Sequence, residues 1–376
     1  MRRTLLLAVL AIVAASSAPA LARPSSGSTV PKNRVARLAK VATISQWFAY
    51  RGDSDEQLAG YASPADLARL RSEGFTGVRL VVTPQILSGS VTPQSLEPRV
   101  LAHLDAAIQR LFDADLAVAL DIHDGNKTAW ERSPSYVDGM NELWSALAAH
   151  YRDTNPGMLY LELLNEPVFR GGKAKAWFAI QKRLLATVRA QAPDHTIIAT
   201  SWGYGNVDGL LELKPLADRN VVYTFHYYEP YEFTHQGAPW AERNPEAFHD
   251  LPYPMTRASC APIIARQVPD LRSILRTTCN AVWGPKRINE RIALAAKWGS
   301  DHRVPLWLGE FGVYCKSAPR ASAVRWIHDI RVAAQSRGIG WGIWDADGCF
   351  GLRPRLDATI ASPVDARVVR ALGLKG

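Results

Sequence analysis

Glu166 closes the run LYLELLNE and Glu310 closes VPLWLGE. Both runs are apolar stretches that finish in a carboxylate, the first followed at once by Pro167. A surface turn accounts for one such ending. Two of them at the same rim of a fold would make a pair of carboxyl groups able to flank a glycosidic bond. One would protonate the leaving oxygen while the other attacks the sugar or activates water. More polar and aromatic groups occur in similar runs: Arg79 in GVRLVV, Asp121-Ile122-His123-Asp124 after AVAL, Asn165 beside Glu166, and Ser201-Trp202 after HTIIAT. His226-Tyr227-Tyr228 ends VVYTFHYY, and Trp344 stands in IGWGIWD. A single histidine at a strand end is more often structural than catalytic, so the weight rests on the conjunction.

Such a set works only if its runs are held side by side. Strand candidates start at Val41 (VATIS), Gly77, Ala117, Leu159, His195, Val221, Val304 and Ile339. Most are apolar almost throughout, as strands buried on both faces of a parallel sheet should be. Helical spacing falls between them at 64–73, 96–114, 135–151, 173–191, 285–298 and 319–337, with shorter pieces at 207–213 and 364–372. Ser63 and Gly74 have the types wanted at the two ends of the first of these. Alternating strands and helices predict a single-domain α/β fold, the (β/α)8 TIM barrel, with its chemistry at the C-terminal ends of the strands. Glu229–Gly284, between the sixth and seventh strands, is too long for a simple connection and is expected to have a use of its own.

Strand alternation sorts the carboxylates. Glu166 shares a face with Leu164 and Glu162, and Glu162 is roughly 13 Å deeper at ~3.3 Å per residue, which suits a buried structural partner. On the seventh strand Glu310 shares its face with Leu308 and Leu306. Asp121, Asp124, Glu229, Asp345 and Asp347 are rivals near the rim.

The set Arg79, His123, Asn165-Glu166-Pro167, His226-x-Tyr228, Glu310 and Trp344 resembles glycoside hydrolase family 5, the cellulase family of clan A. The likeness runs from Val41 to about Asp347, in the family's order and on the expected strands. It implies a retaining double displacement, with Glu310 as nucleophile and Glu166 as acid and then base, their carboxyls about 5–5.5 Å apart. The charge of Glu310 is expected to help Glu166 hold its proton. By the same resemblance Arg79 and Tyr228 would keep Glu310 ionised and aimed. Asn165 would bond the sugar 2-hydroxyl, His123 would contact the same sugar, and His226 would hold Glu166 or the neighbouring sugar. Trp344 would stack on the sugar, and the peptide after it is often cis in the family. Trp47, Trp202 and Trp240 are candidates for further sugar subsites. No cofactor or metal is implied, and no H-E-x-x-H motif supports the histidines as ligands. The implied partner is a β-linked polysaccharide or oligosaccharide bound by a monomer, with β-1,4-glucan the first choice. A β-mannanase or other β-glucanase, a non-catalytic glycan-binding barrel and a metal-dependent hydrolase are the alternatives.

Composition sets the outer bounds. The chain has 376 residues, 47% of them hydrophobic, enough for one large core. Residues 1–22 read as a signal peptide: Arg2 and Arg3, an apolar run, then Ala20-Leu21-Ala22 as the cleavage site. The protein is therefore expected outside the cytosol, secreted or periplasmic, by Sec or Tat export, and without stable membrane association after cleavage. Residues 23–38 are expected to be a flexible lead-in and 39–376 the catalytic domain. Four cysteines in an exported chain suggest two bridges. Cys260 and Cys279 lie within one long connection, and Cys315 and Cys349 follow neighbouring strands, so these pairings are preferred among the three possible. No C-x-x-C pair speaks for zinc. Formal net charge is +9, and losing Arg2 and Arg3 with the signal leaves about +7. The basic residues read mainly as a solvated surface, and no nucleic-acid motif accompanies them.

Overall fold

β-Branched and aromatic residues dominate the eight apolar runs, and these residues pack well on a pleated surface covered on both sides. In the computed structural model, which describes residues 29–169, 174–242 and 245–375, all eight are strands. They are β1 (Lys40–Phe48), β2 (Gly77–Val82), β3 (Ala117–Ile122), β4 (Leu159–Glu162), β5 (Thr196–Thr200), β6 (Val221–His226), β7 (Leu306–Glu310) and β8 (Gly340–Ile343). Each pairs in parallel with the next, and β1 closes on β8 through Lys40–Trp341 and Ala42–Ile343. The result is the expected (β/α)8 barrel. The signal segment 1–22 and the first part of the lead-in lie outside the described residues. Among those described, no helix is long and apolar enough to cross a membrane.

Two apolar layers result from the alternation. Outward side chains and the inner faces of the helices form the large core, including Val78, Leu80, Leu120, Trp144, Trp177 and Trp326. Inward side chains Val41, Ala117, Ala119, Tyr160, Ile198, Val222 and Trp307 fill the barrel floor. Register then lifts a polar layer above them. Arg79 sits beside Thr43 and Ala119, and Asp121 sits beside Glu162.

The structure departs from the expectations in four places. The lead-in is not flexible throughout: Lys32–Arg37 is a helix. Val30, Val35 and Leu38 pack it under the barrel floor, and Tyr160 donates to the Arg34 carbonyl at 2.8 Å. β1 runs on to Phe48 instead of stopping at Ser45, with an irregularity between Ile44 and Phe48. β4 stops at Glu162, so the alternation used to place Glu166 ends four residues short of it. Finally, Glu229–Gly284 holds helices of its own, among them Arg257–Arg266 and Pro269–Asn280. Cys260–Cys279 joins those two helices, and Cys315–Cys349 joins the segments after β7 and β8. Both preferred pairings are present.

Candidate active site

Arg79 is the centre from which the site is built. It comes from β2, is wholly buried, and is ringed by carboxylates from three other strands. Its Nε and Nη2 donate to Glu162 at 2.7 and 2.8 Å, its Nη1 to Glu310 Oε1 at 2.5 Å, and Nη2 lies 3.0 Å from Asp121. Burial alone would favour a neutral guanidine, but Asp121, Glu162 and Glu310 hold Arg79 charged well above its ordinary range. One cation cannot neutralise three buried carboxylates. Burial accordingly pushes Asp121 up to about 7 and raises Glu162, each against the pull of Arg79. Glu162 is thus the structural partner that alternation suggested.

The sugar-facing groups hang from this ion cluster. Arg79 Nη2 donates to Asn165 Oδ1 at 2.9 Å, which fixes the amide so that its Nδ2 points to His123 Nε2 at 3.1 Å. His123 Nδ1 lies 2.9 Å from Asp121 Oδ2. Burial drops His123 to about 4, so its ring is neutral, and a proton on Nδ1 satisfies both neighbours. The ring stacks on Trp344 with centroids 5.5 Å apart. The Trp344–Asp345 peptide is cis.

Glu166 projects from a residue with φ of +37°, a backbone region few non-glycine residues adopt. Flanking backbone bonds, Asn165 N–H to the Ile122 carbonyl and Gly203 N–H to the Pro167 carbonyl, hold the turn in place. Strain of this kind concentrates at functional sites. His226 Nδ1 lies 2.9 Å from Glu166 Oε1 and 3.6 Å from Glu310 Oε2. Burial lowers His226 to about 4, so it too is neutral. Carboxylate oxygens of Glu166 and Glu310 stand within 4.8 Å of each other. Tyr228 donates to Glu310 Oε2 at 2.9 Å, leaving Oε1 to Arg79. Gly309 precedes the nucleophile candidate because any Cβ there would stand 2.4 Å from Thr224 Oγ1 and 3.1 Å from His226 Nε2.

The pKa of Glu166 is raised, and burial is the leading cause; the charges of Lys127 and Arg79 oppose it. Desolvation leads this rise, and the charge of Glu310, expected to help, is not among its causes. These groups line an open cleft of about 930 Å³ with Tyr50, Lys127, Tyr204, Trp240, Tyr314 and Phe350.

The amino-acid pattern of residues 39–349 matches the model of the cellulase family, glycosyl hydrolase family 5. The chain belongs to glycosyl hydrolase family 5. This family 5 barrel is 26% identical to Endoglucanase 3 of Fibrobacter succinogenes over 77% of its own length, and it spans 46% of that protein. It is 22% identical to Endoglucanase C of Acetivibrio thermocellus over 79% of its length and 87% of the relative. Its fold matches the solved endoglucanase Cel5A of Thermotoga maritima with a TM-score of 0.73 at 23% identity, covering 92% of this chain and all of the other. The cellulose synthase subunit Z of Clostridioides difficile gives 0.71 at 22% identity, over 89% and 99%.

Of the residues named in advance, the family 5 cleft gathers His123, Asn165, Glu166, His226, Tyr228, Glu310, Trp344 and Trp240, with Arg79 beneath them. Trp47 and Trp202 are corrections. Trp47 lies inside β1 and is fully buried, its Nε1 donating to the Leu58 carbonyl at 2.8 Å. Because β1 runs three residues further than expected, Tyr50 takes the place at the cleft edge, packing against His123 at 6.1 Å. Trp202 packs sideways on the core with its Nε1 3.2 Å from Glu212, while Tyr204 enters the cleft. The rival acids are accounted for. Asp124 accepts from Trp130 and Tyr136, Glu229 pairs with Arg291, and Asp347 accepts from Ser45, Gln46 and Tyr61. Asp345 accepts from Ser45, and burial pushes it up to about 7. Tyr50, Lys127 and Tyr204 were missed. Tyr50 and Tyr204 share a signal, an aromatic just past a strand at positive φ, but φ is not written in the sequence.

Proposed function

We propose that this family 5 glycoside hydrolase is an exported, retaining endo-β-1,4-glucanase with Glu310 as nucleophile and Glu166 as acid/base. The observation that carries the retaining assignment is the approach of the two carboxylates to within 4.8 Å, since inverting pairs need about 6.5–9.5 Å to admit a water. In the first step Glu310 attacks the anomeric carbon while Glu166 gives its proton to the leaving oxygen. Burial readies Glu166 for this by favouring its protonated form. Arg79 and Tyr228 each hold one oxygen of Glu310, so the nucleophile is aimed before substrate arrives. In the second step Glu166, now a base, takes a proton from water, which attacks the glycosyl-enzyme. Asn165, already oriented by Arg79, has an amide hydrogen to offer the sugar 2-hydroxyl. Trp344 offers a face to the ring.

The relatives named endoglucanase support the β-1,4-glucan substrate. A cleft lined from the β1 side by Tyr50 and from the β6 side by Trp240 supports action within a chain. Mannan is a second reading worth its own assay, because a Thermotoga maritima Cel5A structure with this fold was solved with mannotriose. Carboxymethylcellulose, β-mannan, xylan and mixed-linkage glucan are compared with wild type, Glu166→Gln and Glu310→Gln. Glu310→Gln is expected to lose at least ~10³-fold in rate. Near-normal turnover in that variant, or a first product of inverted anomeric configuration, sinks the mechanism. Export is tested by N-terminal sequencing of the protein from the culture or periplasm, with Arg23 expected first.

A further inference from the structure

Two acids follow Trp344 on the segment after β8, Asp345 and Asp347, and the proposed chemistry uses neither. Both are buried. The cation facing them, Arg353, gives its guanidinium to the carbonyls of Ala346, Ile360 and Ser362.

Ser45 of β1 stands between the two acids. Its Oγ lies 2.9 Å from Asp347 Oδ1 and 3.0 Å from Asp345 Oδ2. A hydroxyl has a single hydrogen, so it can donate to only one of them. Asp347 is well supplied as an acceptor: the N–H groups of Ser45 and Gln46 donate to it at 2.9 Å each, and Tyr61 at 2.5 Å. Asp345 Oδ1 accepts from the Phe350 N–H at 3.2 Å, which leaves Oδ2 to face the hydroxyl. With both acids ionised, one of the two contacts to Ser45 would hold no hydrogen, between buried anions. A proton on Asp345 Oδ2 satisfies every atom. Asp345 then donates to Ser45, and Ser45 donates to Asp347.

This chain of bonds ties the segment after β8 to β1. The segment wraps the carboxyl closely, for a Cβ on Gly348 would stand 2.2 Å from Asp345 Oδ2, and one on Gly351 2.6 Å from the Asp345 carbonyl. Trp344 and Phe350, on either side of the tie, belong to one apolar cluster and line the cleft.

We propose that Asp345 is a positioning residue that works as a neutral acid: its carboxyl hydrogen, relayed through Ser45 to Asp347, fastens the Trp344 segment to β1 and holds the sugar platform in place. This rests on the reading of Trp344 as the surface on which the sugar stacks. Burial and the adjacent Asp347 push Asp345 up to about 7, so the fastening hydrogen is present below that pH and leaves above it. The other groups facing the pair are Arg353 on the same segment, Tyr61 with Arg51 beside it, and Tyr228 after β6. Burial raises both phenols far above their ordinary range, so they keep their protons while Asp345 changes. His123, stacked on Trp344, is already neutral.

KM and kcat are measured against pH on a soluble aryl β-cellooligosaccharide with wild type, Asp345→Asn and Asp345→Ala. In the wild type KM should climb roughly fivefold as the pH passes above about 7, the scale of one lost neutral hydrogen bond. Asparagine keeps the shape without the charge, accepts from Phe350 and can donate an amide hydrogen to Ser45. Asp345→Asn should therefore hold the low-pH KM throughout, whereas Asp345→Ala should show the raised KM at every pH. Glu166 is present in all three, so the alkaline limb of kcat should remain in each. An alkaline climb in KM that survives in Asp345→Asn overturns the proposal. A second measurement depends neither on turnover nor on the alanine variant folding. The infrared difference spectrum of wild type minus Asp345→Asn should show a protonated-carboxyl band about one unit below pH 7 that fades about one unit above it. Absence of that band also overturns the proposal. A wild type inert on every glycan would instead sink the hydrolase reading, and the platform role with it.

Discussion

Replacing Tyr228 with Phe tests how the proposed nucleophile, Glu310, is held. The phenol donates to Glu310 Oε2 at 2.9 Å, while Arg79 keeps Oε1, so the substitution removes one of two anchors and leaves the charge partner in place. The ring itself stays fixed by edge contacts with His235 at 5.1 Å and Phe350 at 6.2 Å. A hydrogen bond to a charged group is worth about 1.5–3 kcal/mol. If that bond aims Glu310 in the transition state, kcat/KM should fall roughly 10- to 10²-fold, at about 1.36 kcal/mol per decade. The fall should lie mainly in kcat, because Tyr228 acts through Glu310 rather than through the sugar. Stability should change little, since Glu310 Oε2 faces the cleft and water can replace the phenol. The assay is initial rates on a soluble aryl β-cellooligosaccharide, with thermal melts alongside. A kcat within twofold of wild type, or a rise in KM alone, refutes the claim that this bond positions the nucleophile.

Three further outcomes follow from the same geometry. Arg79→Met leaves Asp121, Glu162 and Glu310 without their shared cation, so urea unfolding should report a loss of about 3–5 kcal/mol, and a loss under 1 would mean the cluster is not held as described. Because burial raises Glu166, kcat/KM should decline on the alkaline side at a pH above an ordinary glutamate's range, as the required proton leaves. Lys127 opposes that rise, so Lys127→Met should move this limb further up, and a limb that stays put or moves down contradicts the assignment. Trp240 is 59% exposed over the cleft, so Trp240→Ala should raise KM severalfold on long oligosaccharides yet barely affect short chromogenic ones, and equal effects on both would remove it from the distal end.

Much of the site was legible because a barrel converts sequence order into a ring. Once eight apolar runs alternate with helices, a residue at the end of each run is delivered to one rim, and Asn165-Glu166, His226-x-Tyr228, Glu310 and Trp344 meet there. The cysteine pairing was legible for the same reason, since neighbouring strands and one local hairpin limit which sulfurs can meet. Local signals also worked where the physics is local: Ser63 caps its helix in a box with Asp66, and Gly74 ends it at φ +106°.

The tertiary structure alone decided the rest. Where a strand stops depends on pairing with its neighbours, so the letters gave no warning that β1 reaches Phe48 or that β4 ends at Glu162. That single uncertainty moved Trp47 into the core and put Tyr50 at the cleft. A tryptophan buries well in either setting, so its identity cannot say which. The sharing of Arg79 among Asp121, Glu162 and Glu310, and the burial that raises Glu166, are sums over groups distant in sequence. The residues proposed to do the chemistry were thus readable from their order at the ends of the apolar runs, whereas their protonation and their neighbours required the fold, because electrostatics and packing act through space.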